Sequence, residues 1–137
     1  MRYARFDRWA NETILLARIL MMALFVLFGW GKLTDFSGTV AYMASSGLPL
    51  PTLAAAVVIL MEFFVGLAIL LGFCTRPLAL LLALYTLGTA LIGHHYWTMA
   101  GAERMANEIN FYKNLAIIGG LVLLSVTGPG KYSLDRR

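Results

Sequence analysis

Four long apolar stretches, separated by short polar segments, account for most of the chain. They cover approximately residues 13–31, 52–73, 77–94 and 109–128. A helix needs about 20 mostly apolar residues to cross the hydrocarbon of a bilayer, and the third stretch is near the lower limit of that length. The pattern therefore predicts an all-α fold, an integral membrane four-helix bundle with short loops.

The connection between the first two stretches, residues 32–50, has a helical repeat of its own. Phe36, Val40 and Met43 recur at helical spacing among serine and threonine residues. This spacing is typical of a short amphipathic helix that lies in the membrane interface. The alternative is a loop that packs over the bundle.

Composition agrees with a membrane protein and excludes chemistry that needs paired cysteines. Hydrophobic residues make up 60% of the chain and charged residues only 13%, whereas about a quarter of a soluble domain is charged. After four spans, 137 residues leave room for one transmembrane domain, residues 1–137. The single cysteine, Cys74, excludes an intrachain disulfide and any C-x-x-C motif.

The basic residues are scattered, which predicts membrane topology and argues against nucleic-acid binding. Seven of the 11 Lys and Arg residues lie in the amino-terminal segment, in the turn at Arg76 and in the carboxy-terminal tail. Lys32 and Arg104 lie on the opposite side. Because basic residues collect in the cytoplasm, both termini are expected there. The first stretch contains Arg18 and lacks a small-residue cleavage site, so it is expected to remain as a span.

Three ionisable residues fall inside the predicted spans: Arg18, Glu62 and Lys113. Such residues are costly in a bilayer unless they are paired or face a polar cavity. Glu62 is near the middle of the second span, so it must be protonated or find a partner inside the bundle. The candidate partners are Arg18 and Lys113, and a pairing with neither stays open. Arg18 begins an inward-facing stripe with Met22, Phe25, Gly29 and Lys32.

Six polar residues, Lys113 among them, could converge at the outer end of the bundle: Lys32, His94, His95, Asn110, Lys113 and Asn114. With Arg18 and Glu62 they form the predicted ligand-binding or intramembrane polar site. Three alternatives stay open: an Arg18–Glu62 pair that only sets helix packing, a Lys113 that extends to the interface, and histidines that belong to an interfacial belt. No catalytic residue and no metal site is predicted, since two adjacent histidines at one helix end do not form a haem ligand pair.

Several short motifs together resemble the DoxX family of small four-helix membrane proteins. They are Phe28-Gly29-Trp30-Gly31-Lys32-Leu33, Gly47-Leu48-Pro49, Glu62 with Gly66, Leu71-Gly72-Phe73-Cys74-Thr75-Arg76, Gly128-Pro129-Gly130 and Ser133-Leu134-Asp135. The resemblance extends from about Ile14 to Asp135. It marks Gly29, Lys32, Glu62 and Arg76 as family features without an agreed role.

The resemblance also implies a cellular location and a type of function. Members of the family include a subunit of thiosulfate:quinone oxidoreductase and a component of a membrane complex involved in redox and thiol stress, and many occur in the bacterial inner membrane. It therefore implies a multi-pass inner-membrane protein with a redox-linked or quinone-adjacent role.

Two hypotheses for function arise from the spans and the resemblance. In the first, the bundle binds a quinone or a lipid-like ligand and serves as an accessory subunit of an oxidoreductase. The chain has no haem ligand pair, flavin motif or iron–sulfur spacing, so on its own it is expected to be non-catalytic. In the second, it is a structural scaffold or a small-solute or lipid carrier. Either form could be a homo-oligomer in the lipid bilayer.

Overall fold

Helices form most of the chain that the structure, a computed structural model, describes, which is residues 4–135. The elements are, in chain order, α1 (Ala4–Asp7), α2 (Ala10–Thr34), α3 (Phe36–Ser45), α4 (Pro51–Ile59), a π-helical segment (Leu60–Val65), α5 (Gly66–Leu71), α6 (Thr75–Gly93), a 3₁₀ turn (Tyr96–Thr98) and α7 (Gly101–Thr127). The α4, π and α5 segments form one continuous helix, which we call the second helix.

Four helices are long and apolar enough to cross a membrane: Ala10–Thr34, Pro51–Leu71, Thr75–Thr98 and Gly101–Thr127. The predicted all-α bundle is confirmed. The connection after α2 is also helical, as α3. The polar residues from Gly101 onward, expected to belong to a loop, instead start α7 eight residues before the fourth apolar stretch. Good helix formers with Glu103 in the first turn explain this early start.

Helix α2 packs antiparallel against the second helix in a register that its buried face defines. The buried residues of α2 are Arg18, Met22, Phe25 and Gly29, which are four of the five members of the predicted stripe. Gly29 lies against the backbone of Phe63, Phe25 against Gly66, and Arg18 against Gly72. Residue numbers rise on one helix as they fall on the other, so the contacts run along the whole length of the pair.

Helices α6 and α7 form the other half of the bundle as an antiparallel hairpin. Small residues on α6 face inward, since Ala79, Ala83, Thr86 and Ala90 are buried. Small residues let helices approach closely in lipid, where the hydrophobic effect does not drive association. Leu82 and Leu121 fill the core between the hairpin and α2.

Both ends of the described chain lie at one end of the bundle, as an even number of spans requires. The backbone N–H of Lys131 donates to Asn11 Oδ1 at 2.8 Å, and Tyr132 Oη donates to Glu12 Oε1 at 3.0 Å. We call this the termini end, formed by residues 10–14, 71–76 and 127–135. The opposite end, with residues 32–50 and 93–101, is the loop end.

The tail after α7 caps two helices at the termini end. Leu134 and Asp135 donate their backbone N–H groups to the last carbonyls of the second helix, Leu71 and Gly72. The Asp135 carboxylate accepts from the N–H groups of Cys74 and Thr75 at 2.7 and 2.8 Å. It thereby satisfies two of the donors that the start of α6 leaves free.

Two arginines complete this end. Arg76 donates to the last carbonyls of α7, including that of Ser125 at 3.0 Å. Arg18, only 1% exposed, donates through Nη2 to the carbonyl of Tyr132. Both side chains therefore bind backbone carbonyls that a helix end or a tail leaves without partners.

The orientation of the bundle in the membrane remains a prediction, and the chain's single cysteine can test it. Cys74 is exposed at the termini end. Arg2, Arg136 and Arg137, which contribute to the charge asymmetry, lie outside the described residues. With the termini in the cytoplasm, a membrane-impermeant maleimide should leave Cys74 unlabelled in intact spheroplasts and label it after permeabilisation. A Cys74→Ser, Thr98→Cys variant, with its thiol at the exposed loop end, should show the opposite pattern; labelling of Cys74 in intact cells contradicts the prediction.

The Asp135 cap makes stability depend on pH. Its bonds to the N–H groups of Thr75 and Cys74 lower the pKa of Asp135 below the ordinary aspartate value of about 3.9. A lowered folded-state pKa contributes stability above the unfolded value, and this contribution is lost as pH falls through the folded value. We expect Asp135→Asn to lower the thermal midpoint in detergent at pH 7 and to flatten its decline between pH 5 and 3. Asp7→Asn, at an exposed aspartate, should keep the parent's decline; the same decline in Asp135→Asn would show that the cap does not titrate.

Candidate functional site

The half-buried carboxylate of Glu62 is held by two side chains from two other helices. Lys32 Nζ from α2 forms an ion pair with Glu62 Oε2, and Tyr85 Oη from α6 donates to Glu62 Oε1 at 2.9 Å. The side chain of Glu62 is 14% exposed and that of Lys32 is 30% exposed. The charge that the sequence places near the middle of a span is thus compensated, as insertion into a bilayer requires.

A backbone contact brings the two charges together. A Cβ atom on Gly29 would lie 2.6 Å from the backbone nitrogen of Phe63, so only glycine permits this approach of α2 to the second helix. Lys32 comes one turn after Gly29 on the same face, and Glu62 precedes Phe63. The close approach therefore determines the distance over which Lys32 must reach.

Glu62 also lies within the π-helical segment, Leu60–Val65. A π segment has a wider turn than an α-helix, is rare, and occurs frequently at functional sites. The flanking α4 and α5 continue in the same direction on either side of it, so the irregularity is confined to the turn that carries the carboxylate.

The side chains of Lys32, Glu62 and Tyr85 line a cavity of about 640 Å³ at the loop end. One wall is α4 with Leu53 and Val57, the facing wall is α6, and Met43 of α3 with the turn at Leu48 covers the top. Small-molecule sites commonly have volumes of about 300–1,000 Å³, mostly apolar walls and a few polar groups. This cavity has all three properties.

Two polar pairs extend the α6 wall towards the loop end. Thr89 lines the cavity and accepts from Asn114 Nδ2 at 3.4 Å, and Asn114 is only 8% exposed. His94 also lines the cavity, and its Nδ1 lies 2.9 Å from Asn107 Oδ1. Helix α7 thus supports two polar side chains of the cavity wall without lining the cavity itself.

The structure gathers some of the sequence-predicted site residues and separates others. Lys32, Glu62 and His94 line the cavity, and Asn114 reaches it through Thr89. Lys113 is exposed and donates to Asn110 on its own helix at 3.0 Å, and His95 Nδ1 lies 2.9 Å from the carbonyl of Ile92. Lys113, Asn110 and His95 therefore do not line the cavity.

Arg18 does not pair with Glu62. It precedes Gly29 by eleven residues, about 16 Å along a helix, and the antiparallel register places it beside Gly72 at the termini end. The inward face of α2 is as expected, but only the register decides which residue of that face meets Glu62. That residue is Lys32, at the other end of the stripe.

Tyr85 and Thr89 are site residues that the sequence pattern did not single out. Tyr85 is the one tyrosine in the otherwise aliphatic part of the third stretch, and Thr89 lies one helical turn after it. A phenol deep within a span needs a hydrogen-bond partner, since an unpaired polar group in hydrocarbon is costly. That requirement is the signal that could have found Tyr85.

A larger open groove, about 1070 Å³, lies at the termini end between the start of α6 and the tail. Its polar groups include Asp135 and Arg76, which are already used to cap helices. Among residues 4–135, no three His, Cys, Asp or Glu side chains are grouped so that they could hold a metal ion. The loop-end cavity is therefore the better candidate for ligand binding.

Comparison with known proteins establishes the family. The DoxX family model matches residues 13–95, which includes Lys32, Glu62 and Tyr85. The chain belongs to the DoxX family. Two similar DoxX-like relatives from Escherichia coli (strain K12) are the inner membrane protein YphA, 51% identical over 137 residues with 100% of this chain and 98% of the relative covered, and the inner membrane protein YqjF, 50% identical over 123 residues with 90% and 89% covered.

A more distant similarity covers about half of the chain. The ER-derived vesicles protein ERV29 of Saccharomyces cerevisiae is 33% identical over 67 residues, 49% of this chain and 22% of that protein. No solved structure matches the chain at a significant level. The comparisons thus establish a membrane protein of the DoxX family, with a lipid bilayer as its environment.

The close contact at Gly29, which brings Lys32 to Glu62, should stabilise the bundle. We expect Gly29→Ala to lower the free energy of unfolding in detergent by about 1–3 kcal/mol, the usual cost of overpacking, because the new methyl group meets the backbone of Phe63. Gly31→Ala is the matched control, since nothing lies within 4 Å of its added Cβ. Thermal or denaturant unfolding of both variants measures the difference; equal effects would show that the close approach does not constrain the bundle.

Proposed function

We propose that this DoxX protein binds a lipid-like or quinone ligand in the loop-end cavity and is not catalytic on its own. The observation that carries the proposal is the half-buried Lys32–Glu62–Tyr85 group in the wall of an otherwise apolar cavity of about 640 Å³. Apolar walls suit an acyl or isoprenoid chain, and the polar group suits an oxygen-bearing headgroup.

A quinone is one member of this ligand class. Lys32 has ammonium protons beyond the one given to Glu62, and a ring carbonyl could accept from them. Electron transfer would need a partner, because the chain carries no recognised redox-centre motif. We therefore place any redox role in an accessory subunit that works with an oxidoreductase, in the inner membrane where the names of YphA and YqjF place those relatives.

A structural role is the second candidate, and one observation favours it. The same ion pair joins α2 to the second helix, so Lys32 and Glu62 could serve only to hold the bundle together. Buried polar groups can specify helix packing without any chemistry. The two roles predict different effects of losing the Tyr85 hydroxyl, whose removal leaves the ion pair in place.

The test is mass spectrometry of small molecules extracted from the protein purified in mild detergent. The parent should retain a defined molecule, and Glu62→Gln and Tyr85→Phe should each retain on the order of 10-fold less, the effect of losing one hydrogen bond at a charged group. Glu103→Gln, at an exposed carboxylate, should retain as much as the parent.

Thermal unfolding of the same samples separates the two candidates. Binding predicts that Tyr85→Phe stays close to the parent in stability while losing the molecule. A scaffold predicts only bulk lipid in every sample, together with a large loss of stability in Glu62→Gln. That second pattern would overturn the binding proposal.

A further inference from the structure

We propose that the ligand of the loop-end cavity has an uncharged headgroup that carries a hydroxyl group, as a long-chain alcohol or a monoacylglycerol does. This inference rests on the proposed binding function and narrows its ligand to a hydroxyl-bearing lipid, because a quinone carbonyl could use only Lys32. It is carried by the charges and the free hydrogen-bonding capacity of the cavity wall.

The cavity wall has one fixed cation and one fixed anion, and they compensate each other. Lys32 and Glu62 both line the cavity and form an ion pair, while Arg18, Lys113 and Arg104 do not line it. A charged headgroup would have to share or break this pair and leave one partner without compensation in a mostly apolar space, which is strongly unfavourable. An uncharged headgroup avoids this cost.

Both members of the pair keep hydrogen-bonding capacity on the cavity side. The ammonium of Lys32 has three donors and gives one to Glu62. The carboxylate oxygens of Glu62 accept one bond each, from Lys32 and from Tyr85, and each retains a further lone pair. The exposed fractions of the two side chains, 30% and 14%, leave these sites accessible.

A hydroxyl group matches this combination because it is both donor and acceptor. Its oxygen can accept from Lys32 while its proton is donated to Glu62, and neither bond requires the ion pair to break. An ether or ester oxygen could use only Lys32. The remaining walls, formed by side chains such as Leu53, Val57 and Ile92, suit a single hydrocarbon chain.

Competition binding with probes of equal chain length tests the headgroup. Radiolabelled 1-monopalmitoylglycerol is bound to the detergent-purified protein and is displaced by hexadecanol, hexadecyl sulfate, hexadecyltrimethylammonium or hexadecyl methyl ether. In the parent we expect hexadecanol to displace the label at on the order of 10-fold lower concentration than either charged probe or the ether. A charged probe that competes as well as hexadecanol overturns the inference.

Charge variants of the Lys32–Glu62 pair provide a second test of the inference. Glu62→Gln leaves Lys32 without its partner and should shift preference towards hexadecyl sulfate, and Lys32→Gln should shift it towards hexadecyltrimethylammonium. The double variant is again uncharged and should restore the preference for hexadecanol, even if a single variant folds poorly. Lys113→Gln, outside the cavity, is the matched control and should keep the parent's order.

The outcomes distinguish the two proposals. If the parent binds no labelled monoacylglycerol that hexadecanol displaces but retains a defined molecule in the extraction experiment, the headgroup inference fails and the proposed binding function stands; if it retains no defined molecule either, both fail. If the parent binds all probes without regard to charge, or if the order of probes is the same in the charge variants as in the parent, the cavity binds amphiphiles but the ion pair does not select them. Only the ranking by charge, reversed in the single variants, supports the present inference.

Discussion

The close backbone contact between Gly29 and Phe63 is the constraint on which the candidate site depends. It determines the antiparallel register of α2 against the second helix, and that register decides which polar residues can meet. Lys32 is brought to Glu62 at the loop end, and Arg18 is brought to Gly72 and the tail at the termini end. A shift of the register by one turn would leave a buried charge at each end without its present partner, which is costly in a membrane.

The motifs that resemble the DoxX family meet in pairs across this register. Phe28 to Leu33 meets the second helix at Glu62 and Phe63, and the turn at Leu71 to Arg76 is capped by Ser133 to Asp135. Each of these short motifs is unspecific alone. Together they form two local structures: one holds the Glu62 carboxylate, and the other closes the helix ends. Gly47-Leu48-Pro49 belongs with the first, because Leu48 and Pro49 line the cavity.

Much of the fold could be predicted from the sequence because hydrophobic length and helical period are local properties. The four helices, α3 and the buried face from Arg18 to Gly29 all derive from them. The partner of Glu62 could not be predicted, since it depends on the offset between two helices, which the period of either one does not contain. The π segment and the contact of Tyr85 with Glu62 were not predicted, although the position of the Tyr85 phenol within a span indicates that it needs a partner.

The Lys32–Glu62 pair is hard to explain as a device for stability alone. A buried ion pair gains little over well-packed apolar residues of similar size, because desolvation offsets the attraction. The bundle already has a glycine contact that sets its register and an apolar core between its halves. The pair instead lies in a π-helical turn and faces a cavity, with a tyrosine bound to the carboxylate. Polar groups in this setting suit a ligand's headgroup, as we propose, and under that proposal the same neutral pairing that makes them tolerable in a bilayer would favour an uncharged one.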